Sequence, residues 1–120
     1  RLAGDLIGLL GQQGFDVRRQ CIYLAEASTA FTGITRSALV AGKIHMVLFF
    51  SPRSARGFVK LINGAALESA LTKVSAICLS KAVAEEAGEL TWRNIRVAAE
   101  PLQAALLDEV AREIEVAKYG

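Results

Sequence analysis

The chain has 120 residues, 52% of them hydrophobic and 22% charged, with two prolines, a globular composition that excludes the disordered and collagen-like classes. Fourteen Lys and Arg against twelve Asp and Glu leave a net charge of +2, too small and too evenly spread to mark a nucleic-acid surface. No apolar run approaches the roughly 20 residues of a spanning helix and no basic-then-apolar leader opens the chain, so the expectation is a cytoplasmic protein with no membrane partner.

Leu2, Leu6, Leu9 and Leu10 fall at helical spacing and Gly14 is a natural stop, so the chain opens in or just before a helix. Residues 17–23 read as a strand with Arg18 and Arg19 on a partly exposed face. Residues 25–33, rich in Ala, Ser and Thr, read as a connector. Residues 35–41 support a short helix, 46–50 a fully buried strand, and 52–62 a helix whose Ala55, Phe58, Val59 and Ile62 make one stripe. Residues 73–79 are the next strand, 81–87 a short helix closed near Gly88, and 95–98 another strand. The last helix, 102–117, places Leu106, Val110, Ile114 and Ala117 inward and Asp108, Glu109, Arg112, Glu113 and Glu115 outward.

Apolar strands alternating with amphipathic helices predict a doubly wound α/β fold, a parallel sheet covered on both faces. In such sheets ligands bind beyond the carboxyl ends of the strands. Two helix starts fall there: Phe50-Ser51-Pro52-Arg53-Ser54 and Leu79-Ser80-Lys81-Ala82, each with a hydroxyl cap where a strand gives way to a helix. Backbone N–H groups and the helix dipole make such a rim a place to hold carboxylates or phosphates. Because the chain starts at Arg1 with a helix and no strand before it, a fragment is expected.

Other signals are weaker. Ala41-Gly42-Lys43-Ile44 lacks the upstream glycine and the hydroxyl residue of a phosphate loop, and no glycine-rich dinucleotide fingerprint follows any strand. His45 has no cysteine or acid at triad-like spacing and is expected to be structural or solvent-facing. Trp92 is expected to cover the sheet edge as a partly buried ring. Cys21 and Cys78 read first as inert buried thiols, with a disulfide or a reactive thiol as alternatives. Two cysteines and one histidine make no structural zinc set.

The ordered runs Val47-Leu48-Phe49-Phe50-Ser51-Pro52-Arg53-Ser54-Ala55-Arg56-Gly57-Phe58, Ala76-Ile77-Cys78-Leu79-Ser80-Lys81-Ala82-Val83-Ala84 and Val97-Ala98-Ala99-Glu100-Pro101 resemble the C-terminal half of the uroporphyrinogen-III synthase family. Upstream, Asp5-Leu6 to Gly14 and then 17–23 resemble the family's segment that ends in a tyrosine before the interdomain connector. The family's second turn commonly carries Gly-Pro-Thr-Thr, where only Ser80 keeps a hydroxyl here, and Leu102 stands where a Thr often follows the proline.

The resemblance implies a two-domain lyase with flavodoxin-like, three-layer α/β/α domains, incomplete in this chain. Residues 1–26 would resemble the end of the middle domain plus connector, and 27–120 the C-terminal part of the other domain. It implies hydroxymethylbilane as the small-molecule substrate and haem biosynthesis as the setting, with no metal or organic cofactor. Loss of the terminal hydroxyl would give an azafulvene, attack through the substituted position of the last ring a spiro intermediate, and rearrangement the macrocycle with that ring inverted.

On this resemblance Tyr23 would be catalytic, donating a hydrogen bond to the departing hydroxyl, with an amphipathic ring at the domain edge as the bland alternative. Ser51 with the amides of Arg53 and Ser54 would bind a carboxylate, as would Ser80. Both serines also read as ordinary N-caps, a compatible reading because a cap can hand its amides to a ligand, and Arg53 would reach into the cleft, although an arginine in a first helical turn is more often solvated. The alternative function is a non-catalytic doubly wound ligand-binding or interaction domain, or an inactive fragment of the enzyme. A receiver-like domain would want acids clustered at the first strand end and a lysine late in the sheet, whereas the strand ends here carry Tyr23, Ser51 and Ser80. Exposed sheet edges of a fragment would permit self-association.

Overall fold

Met46, Val47, Leu48 and Phe49 are buried on both sides of the pleat, so this strand must lie inside a sheet with cover on each face. The computed structural model describes residues 22–25 and 33–119, and there the prediction holds. Four strands, β1 (Ile22–Leu24), β2 (Met46–Phe49), β3 (Ser75–Cys78) and β4 (Asn94–Val97), form one sheet in the order β1-β2-β3-β4. Every neighbouring pair is parallel, with Val47 opposite Tyr23 and Ala76, and Ala76 opposite Ile95.

Helices α1 (Gly33–Val40), α2 (Pro52–Ala65) and α3 (Lys81–Ala87) make the crossovers, with a 3-10 turn (Glu68–Leu71) leading into β3. Because the strands are laid down in sequence and crossovers share one hand, all three helices fall on the same face. There Leu39, Ala55, Phe58, Ile62, Val83 and Ala87 pack on Val47, Phe49, Ala76 and Cys78. The last helix, α4 (Gln103–Tyr119), takes the opposite face, where Leu106, Leu107 and Val110 meet Met46, Leu48 and Ile77. The product is a three-layer α/β/α domain, consistent with the flavodoxin-like arrangement.

Local signals account for the element ends. Ser51 caps α2 with Pro52 in the first turn, and Ala66, at φ 57° and ψ 43°, closes it in the left-handed region. Gly42, at φ +73°, turns the chain from α1 toward β2, a backbone conformation a side chain would strain. The expected helices and strands keep their places, with α2 running three residues further than its apolar stripe and β3 shortened at both ends. The expected N-terminal helix, residues 17–21, Cys21 and most of the connector lie outside the described residues, as does the side chain of Ala117.

Three expectations are corrected. Glu109 and Glu113 are not on the outer face of α4: they are 8% and 2% exposed. Glu113 sits seven residues after Leu106 and so on the same inward stripe, and Ser75, Asn94 and Arg96 meet it there. Trp92 is no edge cover but part of the core, because its Nε1 donates to the Ala87 carbonyl at 2.8 Å and so leaves no polar atom unpaired. The first strand does not end at Tyr23: Leu24 pairs with Leu48 and the Ala25 amide bonds the Leu48 carbonyl. β1 therefore joins the sheet of β2–β4.

Candidate functional site

The carboxyl ends of β2 and β3 define the rim. Phe49 and Cys78 are register partners, and Ser51 and Ser80 each follow two residues later, so the two serines stand level on strands about 5 Å apart. Both have extended backbone, φ −149° at Ser51 and −150° at Ser80, as N-caps require. Both are half-buried.

At the first turn the Ser54 amide donates to Ser51 Oγ at 3.1 Å, the two hydroxyls bond at 3.1 Å, and Ser54 Oγ donates back to the Ser51 carbonyl at 2.9 Å. Ser54 is buried, so its hydroxyl belongs to this ring of bonds. The Ala55 amide bonds the Ser51 carbonyl, and Pro52 has no N–H. That leaves the Arg53 amide, which no described residue accepts, and the exposed Arg53 side chain as the donors at this turn. A carboxylate reaching the Ser54 amide would take the place of Ser51 Oγ.

At the second turn Ser80 Oγ accepts from the Val83 amide at 3.4 Å, a looser cap, and the Ala84 amide bonds the Ser80 carbonyl. Lys81 is exposed beside it. α3 leaves the rim toward one face while the chain after β4 passes to α4 on the other, so the loops diverge beside Ser80. Diverging loops at the carboxyl ends of adjacent parallel strands open the kind of crevice in which α/β domains take ligands. The chemistry on offer is anion binding by helix starts.

Tyr23 lies elsewhere. It stands level with Val47, four residues short of Ser51, which is about 13 Å along the strand direction. Its half-buried ring packs on Phe58 of α2 at 6.1 Å between centroids. Phe58 in turn stacks on Trp92 and meets Phe49 edge-on, so the tyrosine is braced by an aromatic cluster beneath α2. The structure thus brings Ser51, Arg53, Ser54 and Ser80 together and sets Tyr23 apart.

Among the described residues no group of three His, Cys, Asp or Glu could hold a metal. His45 is exposed at the opposite end of β2. Cys78 is a buried free thiol, and burial pushes its pKa up to about 12, which makes it inert. Among the described residues no helix is long and apolar enough to cross a membrane.

A parallel α/β domain with helices on both faces and hydroxyl-capped helix starts on its carboxyl rim belongs to the doubly wound class, in which ligands bind beyond the strand ends. The profile of the family described as uroporphyrinogen-III synthase HemD matches residues 3–108, and the chain belongs to that family. The fold is similar to a crystal structure of uroporphyrinogen III synthase from the extremely thermophilic bacterium Thermus thermophilus, with a TM-score of 0.54 and 18% identity. That match covers 70% of this chain and 34% of the Thermus chain. No curated protein matches the chain.

Proposed function

We propose that the protein carrying this chain converts hydroxymethylbilane into the cyclic tetrapyrrole with its last ring inverted, releasing water. The observation that carries the reading is the level pair of hydroxyl-capped helix starts at Ser51 and Ser80 in a member of this family. The substrate bears acetate and propionate groups along its length, and carboxylates are what such turns hold.

In this reading the Arg53 amide and side chain, with Ser51 and the Ser54 amide, hold one substrate carboxylate, and Ser80 holds another beside the crevice. Tyr23 donates a hydrogen bond to the terminal hydroxyl as it leaves with a proton to form water. The azafulvene left behind is attacked by the substituted carbon of the last ring, and the spiro intermediate rearranges to the inverted macrocycle. A four-ring chain is long enough to reach from the Ser51 turn to Tyr23, so their separation fits one extended ligand. No cofactor is invoked.

The test is kinetic. Freshly generated hydroxymethylbilane closes spontaneously, and the protein carrying this chain is expected to accelerate its disappearance in proportion to protein concentration, with or without a metal chelator. A rate equal to the spontaneous one at every concentration refutes the proposal, and a rate abolished by the chelator refutes its cofactor-free form.

A further inference from the structure

We infer that the pole opposite the Ser51–Ser80 rim carries a second binding site, for a small organic carboxylate with a compact apolar body. A concavity of about 330 Å³ opens there, where β2 and β3 begin. Its floor is apolar and buried: Leu39, Ile44 and Val74 are 2%, 8% and 3% exposed. Val40, 67% exposed, stands on its wall with its side chain uncovered. His45, Ser69, Thr72 and Lys73 supply the polar lip.

The charged side chain in its lining is Lys73. Lys43 precedes β2, Lys73 precedes β3 and Arg93 precedes β4, and all three are exposed. Since Met46, Ser75 and Asn94 are in register across the three strands, these entry positions form a row at one end of the sheet. The Arg93 amide bonds the Val74 carbonyl at 2.9 Å, which ties the start of β4 to β3 outside the concavity's lining. Among the described residues none of the three makes an ion pair. The acids of α4 do not neutralise them, because Glu109 and Glu113 are turned inward onto Arg96 and Arg112, and Glu68, exposed on the 3-10 turn, pairs with none of them.

An apolar floor with Lys73 on its lip and Lys43 between the lining residues Gly42 and Ile44 favours an anionic head on an apolar body. The volume lies at the low end of the small-molecule range, which suits a single ring or short chain and is too small for a four-ring substrate. The site is independent of the carboxyl-rim chemistry, standing on the other end of the same strands.

The probe is benzoate, titrated into the isotope-labelled protein and followed by amide chemical shifts, with benzyl alcohol as the neutral counterpart. Saturable benzoate shifts are expected at Gly42, His45, Ser69 and Thr72, with benzyl alcohol binding more weakly. The double variant Lys43→Gln, Lys73→Gln, whose exposed side chains leave the fold intact, is expected to weaken benzoate about fivefold and leave benzyl alcohol unchanged. Equal affinity for the two probes, benzoate shifts confined to the Ser51 and Ser80 turns, or benzoate affinity unmoved in the double variant would each overturn the inference.

Discussion

Arg96 Nε lies 2.6 Å from Glu113 Oε1, tying the edge strand β4 to α4 through a carboxylate that is 2% exposed. Ser75 Oγ donates to the other oxygen at 2.6 Å, so β3 is held by the same group. Burial alone would push the Glu113 carboxyl up, but the hydrogen bonds from Arg96 and Ser75, the Arg96 charge and Asn94 outweigh it and hold the group below its ordinary value of 4.5. The guanidinium of Arg96 is raised in return, chiefly by its bond to Glu113. A depressed carboxyl stabilises the fold above its unfolded pKa, and that stability is lost as pH falls through the folded value. Urea unfolding is therefore expected to show declining stability below about pH 4.5 in the native protein. Glu113→Ala, which leaves Arg96 only its longer contact to Glu109 and Ser75 without its acceptor, should cost about 2 kcal/mol at neutral pH and flatten that decline. A native-like midpoint in the variant would contradict the account.

Cys78 is fully buried and its pKa stands at about 12, so it holds no thiolate at neutral pH. Thiol labelling followed by peptide mapping is expected to leave Cys78 unmodified in the folded protein and to modify it once denaturant is added. Labelling of Cys78 under native conditions would mean that β3 opens far more readily than its packing implies.

Ala66 closes α2 with a positive φ, a conformation that suits glycine better than any residue with a Cβ. Ala66→Gly relieves that strain, partly offset by the freer unfolded chain, and should stabilise the protein by about 0.5 kcal/mol in thermal or urea unfolding. A loss of stability would show that the strain is smaller than the entropy Gly adds.

The two proposed roles at the site separate kinetically. Tyr23→Phe should lower kcat more than it raises KM, since a bond to the departing hydroxyl strengthens in the transition state. Ser51→Ala should weaken substrate binding by about 1 kcal/mol with kcat largely retained, and should lower stability by about 1 kcal/mol through the lost cap. Unchanged kinetics in both folded variants would leave Tyr23 as packing on Phe58 and Ser51 as a cap.

How far the sequence was legible depended on whether a residue's fate was decided locally. Ser51 and Ser80 could be read because a hydroxyl before a helical pattern has a fixed geometric meaning, and the parallel order followed from apolar strands separated by helices. The register that sets the two serines level is a property of the sheet, visible only once Phe49 meets Cys78. Glu109 and Glu113 were misplaced because their charge argued for solvent. The partner that draws Glu113 inward, Arg96, lies 17 residues away on β4. The signal that could have found it was spacing, since Glu113 falls on the Leu106 and Val110 stripe. Tyr23 was placed at a strand end because a connector composition begins near Ala25, whereas backbone pairing with β2 carries the strand one residue further.

The most direct measurement is the identity of the product. The protein carrying this chain is supplied with hydroxymethylbilane and the resulting macrocycles are separated as isomers. The account predicts that the isomer with the inverted last ring dominates and that its share grows with protein concentration. Only the non-inverted isomer of spontaneous closure, at every protein concentration, would contradict it.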